Sequence, residues 1–275
     1  MGRLGNQMFQ FASTLGISKM LNLEAAFPIE NCVQTFPIGP FDPSIGEKML
    51  VKCDLIDCFK IDPVYFIPRG EIPVSSIFNE SIFTYDDKVT QIKENTDLYG
   101  YFQTDKYFSE YTDLILSQFS FKRQYRDPAV AYIEKIRESN KGCKIVSIHV
   151  RRGDYVMYPD HHPVCSKEYY DICIKEIKKS TKDRIKFLVF SDDTIWCKSE
   201  FSGDDFEISN LANPYSELCA MSLCDHNIIA NSSFSWWGAW LNVNPEKIIF
   251  SPSRWFGNAM NKNTSDVYCK DWIIV

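Results

Sequence analysis

A chain of 275 residues has room for one large or two modest domains. Its 45% hydrophobic and 24% charged residues are those of a globular protein, and a net charge of −6 argues against a general nucleic-acid binder, which would carry a basic stripe. No signal peptide opens the sequence and no run of about 18 apolar residues offers a membrane span, so a protein that is soluble, or at most peripheral to a membrane, is expected.

Ten cysteines suggest a disulfide or metal framework until their spacing is read. No C-x-x-C pair occurs, and the four histidines (149, 161, 162 and 226) make no zinc pattern. Free, buried thiols in a reducing compartment are expected, among them Cys173, Cys219 and Cys224. Aromatics at 15% suit a thick core or a sugar-stacking surface.

Residues 2–21 join a glycine loop at Gly2 and Gly5 to a helix with Met8, Phe11, Ala12 and Leu15 on one face. Asn6 and Gln7 then stand at the helix start, where free N–H groups favour an anion; a plain loop and cap is the other reading. Residues 22–98 carry prolines at 28, 37, 40, 43, 63, 68 and 73, which allow only short elements. Leu98 to Gln103 reads as a strand running into a polar turn. The basic stretch around 117–127 is the candidate boundary, giving domains 1–125 and 126–275. Asp127-Pro128 reads as a helix opening, and Asn140-Lys141-Gly142 as its stop.

From residue 144 onward short strands and helices alternate, which implies βαβ units and a parallel sheet. Ile145, Val146, Ile148 and Val150 are β-branched and mark a buried strand. Further strands are expected at Lys186–Phe190, Phe206–Ser209, Asn227–Ala230 and Lys247–Phe250, with helices after Ser166, at Thr194–Lys198, Pro214–Cys224 and Trp236–Leu241.

Three of these strands end in polar clusters: His149 to Asp154, Ser191 to Asp193, and Asn231 to Ser235. Parallel strands bring such ends to one crevice, where open α/β sheets bind ligands. Arg151 and Arg152 match a diphosphate by bidentate hydrogen bonds, although an ordinary Arg–Asp pair at a strand end is the plainer alternative. Ser232, Ser233 and Phe234 precede a helix and offer backbone N–H groups to phosphate. Asp192 has the two acceptor oxygens that the N1–H and N2–H₂ edge of guanine requires. No G-x-x-x-x-G-K-[ST] and no strand-borne G-x-G-x-x-G occurs, which excludes an ordinary NTPase and a nicotinamide enzyme. Asp192 and Asp193 are adjacent, so on an extended chain they point to opposite sides; no D-x-D metal bridge is expected, and arginines would neutralise the diphosphate.

Gly2-Arg3-Leu4-Gly5-Asn6-Gln7-Met8-Phe9-Gln10-Phe11-Ala12, His149-Val150-Arg151-Arg152-Gly153-Asp154-Tyr155 and Asn231-Ser232-Ser233-Phe234-Ser235-Trp236-Trp237-Gly238-Ala239-Trp240-Leu241 together resemble the bacterial alpha-1,2-fucosyltransferases of glycosyltransferase family eleven. Phe190-Ser191-Asp192-Asp193 and Gly100-Tyr101-Phe102-Gln103 also fit. The resemblance implies a GT-B-like α/β fold, two Rossmann-like domains facing across a cleft. It also implies a strand ahead of the glycine loop, which this sequence does not supply, so a first domain lacking its first strand is expected. The implied activity is inverting transfer of L-fucose from GDP-β-L-fucose to the 2-hydroxyl of a terminal galactose, on an oligosaccharide or lipid-linked glycan acceptor such as O-antigen. The implied place is the cytoplasm, with peripheral contact at the inner membrane.

By the same likeness Arg151 or Arg152 stabilises the leaving β-phosphate, His149 and Asp192 lie on the guanine side, Ser232, Ser233, Phe234 and Ser235 form the phosphate loop, and Asn6 reaches in from the first domain. No metal and no cofactor beyond the donor substrate are expected. Asp154 is a candidate base, with Asp160, His161 and His162 behind it; holding an arginine is the other role for Asp154. Two readings stay beside this one: a fucosyltransferase of another linkage, such as alpha-1,6, and a non-catalytic nucleotide- or carbohydrate-binding protein.

Overall fold

The computed structural model describes residues 2–29, 32–37 and 46–275. The expected breakers Pro40 and Pro43, and the side chain of Cys32, lie outside what it describes. The chain divides into two units: Met1–Lys122 with Lys262–Cys269, and Arg123–Asn261 with Lys270–Val275. The boundary falls three residues before the expected one, and the return of 262–269 to the first unit was not foreseen. That return rests on non-local contacts: Lys106 Nζ meets Asp266 Oδ1 at 2.7 Å, and Tyr85 N donates to Asp266 Oδ2 at 2.9 Å.

In the first unit, Gly2 and Arg3 lead directly into α1 (Leu4–Leu21). This helix starts earlier than expected, and Gly5 lies inside it. Leu4, Met8, Phe9, Phe11, Ala12, Leu15 and Ile17 are all buried, so the helix is enclosed on most sides and not on one stripe. Its buried Gln7 ties it to the rest of the unit, donating to Lys52 O at 2.8 Å and accepting from Asp54 N at 2.8 Å. Around it lie β1 (Phe27–Pro28), β2 (Cys32–Pro37), β3 (Gly46–Val51), α2 (Asp54–Cys58), β4 (Phe66–Ile67), β5 (Ser76–Asn79), β6 (Thr96–Tyr99) and α3 (Thr112–Gln118). Among the described residues these strands pair in twos: β1 with β4 and β5 with β6 in parallel, β2 with β3 antiparallel. Phe11 packs against Phe27 and Phe119, at 4.6 and 5.7 Å between ring centroids.

The second unit runs α4 (Arg123–Ser139), β7 (Cys143–Val150), α5 (Lys167–Ser180), β8 (Arg184–Ser191), α6 (Thr194–Glu200), β9 (Phe206–Ile208), α7 (Pro214–Ser222), β10 (His226–Ile228), α8 (Ser233–Trp240), β11 (Ile249–Ser251) and β12 (Ile273–Ile274). The alternation of strand and helix expected from sequence is present. α4 corrects one boundary, because Pro128 lies inside the helix and does not open it. An internal proline costs a backbone hydrogen bond. Ala129, Tyr132, Ile133 and Ile136 bury the helix beyond it, and Tyr125 packs edge-on to Tyr215 at 4.9 Å before it.

All six strands of this unit are parallel, in the order β12-β11-β10-β7-β8-β9. The chain starts at the centre with β7, moves outward through β8 and β9, then returns to the other side of β7. This is the doubly wound order of nucleotide-binding α/β folds, and its direction reverses between β7 and β10. Val146, Ile148 and Val150 join Tyr170, Cys173, Phe187, Val189 and Ile228 in one buried core. A strand buried on both faces favours a nearly continuous apolar run, which β8 supplies at Phe187–Phe190, whereas β7 alternates Ile148 and Val150 with the buried Ser147 and His149.

Candidate active site

The reversal point places the carboxyl ends of β7 and β10 side by side, with β8 on the far side of β7. β7 delivers His149, Arg151 and Arg152; β8 delivers Asp192 and Asp193; β10 delivers Asn231 and the start of α8.

The two arginines take different partners. Arg151 Nη1 lies 2.6 Å from Asp192 Oδ2, and Arg151 Nη2 pairs with Asp154 Oδ1. Arg152 Nε donates to Asp193 Oδ2 at 3.0 Å, its guanidinium lies 4.3 Å from the centre of the Trp196 ring, and its backbone N–H reaches Asp192 Oδ1 at 2.9 Å. The adjacent carboxylates therefore diverge, one to each guanidinium. Asp193 also accepts from Trp196 N at 3.0 Å and caps α6. That backbone donor, together with Arg152, holds its carboxyl below the usual range. Gly153 lies between the clusters, and a Cβ there would stand 2.5 Å from Asp192 Oδ2.

The plain Arg–Asp pairing weighed from sequence is thus present, with three carboxylates facing two guanidiniums. Other features go beyond it. His149 is buried, and its Nδ1 has no hydrogen-bond partner among the described residues. Burial, then the neighbouring Arg151 charge, lowers its pKa to about 3, so the ring is neutral. A buried ring nitrogen without a partner is costly. The ring lies 5.7 Å from that of Phe234, in the first turn of α8.

α8 begins at Ser233, three residues before the expected Trp236, so Ser233, Phe234 and Ser235 form its first turn. Ser232 is the N-cap residue, yet its side chain makes no capping hydrogen bond. Such a terminus offers backbone N–H groups and a positive dipole end to an anion. Ser235 is turned inward: its hydroxyl is buried and donates to Ala230 O and Ser232 O, each at 3.3 Å. Asn6 is in the first unit, at the start of α1, where its Oδ1 accepts from Gln103 Nε2 at 2.9 Å.

Sequence reading missed Glu217. It lies in the first turn of α7, and its carboxyl is raised to about 7 by burial, with the Asp192 charge adding to the rise and the Ser209 hydroxyl opposing it. One acidic residue among the buried Ser216, Leu218, Cys219 and Ala220 was the available signal. It missed also the role of Asn231, whose Nδ2 donates to Pro163 O at 2.9 Å and Trp255 O at 3.0 Å. Among the described residues no group of three or more His, Cys, Asp or Glu side chains is gathered as a metal site.

The chain is 34% identical over 299 residues to the O-antigen biosynthesis glycosyltransferase WbnK of Escherichia coli, covering 96% of each chain. It is 29% identical over 297 residues to an alpha-1,2-colitosyltransferase of Escherichia coli, covering 99% of this chain and 96% of that one. Among solved structures it is similar to POFUT1 in complex with GDP, with 13% identity, a TM-score of 0.47 and coverage of 90% and 96%. The profile of Glycosyl transferase family 11 matches residues 1–275, the whole chain, and the chain belongs to that family of glycosyltransferases.

Proposed function

We propose that the chain transfers L-fucose, with inversion, from GDP-β-L-fucose to the 2-hydroxyl of a terminal galactose, in building an O-antigen or similar surface glycan. One observation carries the reading: Arg151 and Arg152 leave the central strand beside the uncapped start of α8, at the reversal point of a doubly wound sheet. Both bacterial relatives named above are consistent with it.

Cleavage of the sugar–phosphate bond builds negative charge on the departing diphosphate and positive character on the sugar. Fixed cations and backbone donors at the diphosphate gain most as that charge develops, so they lower the barrier more than they tighten ground-state binding. Arg151 and Arg152 take this role, with the first turn of α8 as the second contributor through its dipole; the N–H of Ser232, expected from sequence to hold phosphate, is instead donated to Ala230 O at 2.7 Å. A diphosphate arriving there replaces part of what Asp192, Asp154 and Asp193 now give the arginines, so the pre-existing pairs hold the guanidiniums in place at modest cost. The neutral His149 ring and Asp192 belong on the guanine side, with Glu217 close by. The pairing of Asp154 with Arg151 favours its holding role over that of general base. The first unit, with Asn6, takes the acceptor.

No metal is assigned to this chemistry, since the arginines meet the diphosphate charge. No helix among the described residues is long and apolar enough to cross a membrane; a cytoplasmic protein working at the inner membrane face on a lipid-linked glycan fits the reading. A second donor is favoured by one specific observation, the alpha-1,2-colitosyltransferase relative: GDP-colitose lacks only the 3-hydroxyl of the fucose donor.

Incubation with GDP-fucose and a galactose-terminated disaccharide, following GDP release and assigning the product linkage by NMR, tests the reading. Release of GDP with a new 1,2 linkage is expected. A 1,6 linkage would replace the acceptor assignment, turnover of GDP-colitose alone would replace the donor, and GDP binding without turnover would favour a binding protein.

A further inference from the structure

Beside Arg151 stands a row of three rings, Tyr155, His162 and Phe256, that the transfer chemistry does not use. The Arg151 guanidinium carbon lies 5.2 Å from the centre of the Tyr155 ring. The His162 ring stacks on Tyr155, 4.8 Å between centroids and 18° from parallel. Phe256 closes the row on His162 at 5.7 Å. Guanidinium, phenol, imidazole and phenyl thus follow one another.

Much of the local backbone serves to hold this row. Tyr155 donates its hydroxyl to Asn231 O at 3.2 Å. The carboxamide of the same Asn231 donates to the carbonyls of Pro163, next to His162, and of Trp255, next to Phe256. Gly257 N donates to His161 O and Ala259 N to Asp160 O, both at 2.9 Å. A Cβ at Gly257 would stand 2.1 Å from Asp160 O, so the approach of the two loops requires glycine. His162 Nδ1 is buried and has no hydrogen-bond partner among the described residues. Stacking on Tyr155 therefore holds the ring on a side where its Nδ1 has no hydrogen bond among the described residues.

We propose that His162 is a positioning residue for Arg151, acting through the Tyr155 ring that the two share. The inference rests on the reading of Arg151 as a diphosphate contact. An uncharged imidazole gives Tyr155 a flat apolar support and leaves its other face to the guanidinium. Burial keeps His162 uncharged near neutrality; Asp154 acts against this, while His161 and Arg151 act with it. On protonation in acid the imidazolium turns toward Asp154, the carboxylate now paired with Arg151, and adds a second cation to the Tyr155 ring. Both effects loosen Arg151.

The test compares the unsubstituted protein with His162→Ala and His162→Phe. GDP affinity is read by calorimetry and kcat/KM with GDP-fucose by GDP release, from pH 8 to pH 5. The Ala variant is expected to lose about tenfold in kcat/KM at pH 8, mostly in kcat, and the Phe variant, which keeps a flat ring, to recover much of that loss. The decisive readout is the acid limb. Titration of the GDP phosphate itself is common to all the proteins, so the expected result is a GDP affinity that falls at least about threefold further between pH 8 and pH 5 in the unsubstituted protein than in His162→Phe. If His162→Ala fails to fold by thermal unfolding, the Phe profile still decides. Equal acid limbs, or an affinity that rises in acid only when histidine is present, would overturn this inference alone. No GDP binding by the unsubstituted protein would overturn the diphosphate reading as well.

Discussion

Asp192 bridges the two arginines: its Oδ2 lies 2.6 Å from Arg151 Nη1, while its Oδ1 accepts from the backbone N–H of Arg152 at 2.9 Å. One carboxylate thereby ties the end of β8 to the turn after β7. Arg151→Ala is expected to lower kcat by about 10²-fold or more, the size of a lost oxyanion donor. Asp192→Asn keeps an acceptor for the Arg152 N–H but weakens the hold on Arg151, so a smaller loss of about tenfold is expected. Steady-state kinetics with GDP release checks both, and full activity in Arg151→Ala would remove Arg151 from the diphosphate.

Gly153 gives the same bridge a steric test. Its added Cβ would stand 2.5 Å from Asp192 Oδ2, so Gly153→Ala must push the carboxylate away. Loss of at least about tenfold in kcat/KM is expected, with little change in Tm, because the contact lies at the sheet's end and outside its core. Kinetics paired with thermal unfolding separates these two quantities.

His149 makes the fold acid-sensitive. The unfolded histidine takes a proton near pH 6.5, whereas the folded one does so only near pH 3. Between those values the unfolded state binds more protons, so stability falls as pH drops below 6.5, by up to about 1.4 kcal/mol per pH unit from this group. His149→Phe is expected to flatten that part of the Tm–pH curve. His162 and His226, also lowered by burial, leave a residual slope.

Glu217 acts in the opposite sense. Its folded pKa is raised to about 7, so the folded state holds a proton that the unfolded chain has released above about pH 4.5. The penalty grows as pH rises through this window and is full above pH 7. Glu217→Gln should therefore stabilise the protein at pH 8, by about 1–2 kcal/mol after allowance for partial exposure, and much less at pH 5. Denaturant midpoints at the two pH values measure the difference, and a larger gain at pH 5 would contradict it.

The second unit was largely legible in the sequence because its signals are local. The β-branched run ending at Val150, the cap at Ser166, and the polar clusters after three strands each depend on neighbours in the chain. Strand order was not legible: nothing near His226 says that β10 pairs with β7, although that pairing creates the reversal point. Pro128 misled because tertiary burial of Ile133 and Ile136 outweighs a local break. Glu217 was passed over, and Asn231 was read only as the head of a polar cluster, because their importance lies in Asp192, Pro163 and Trp255, all distant in sequence. The first unit was least legible, since its α1 is enclosed by short, proline-punctuated pieces without periodicity.

The buried cysteines make the protein its own opening sensor. Cys53 and Cys58 are buried in the first unit, and Cys165, Cys173, Cys197, Cys219 and Cys224 in the second. Burial holds Cys165 and Cys197 up near 11 and Cys173 and Cys219 near 12, so the native thiols scarcely ionise at neutral pH. Alkylation of each must then wait for the segment around it to open. Cysteine-by-cysteine labelling, read by mass spectrometry without any introduced probe, would rank how readily the two units and the individual helices breathe. Cys197, one turn into the helix that Asp193 caps, reports on the ground beneath Arg152.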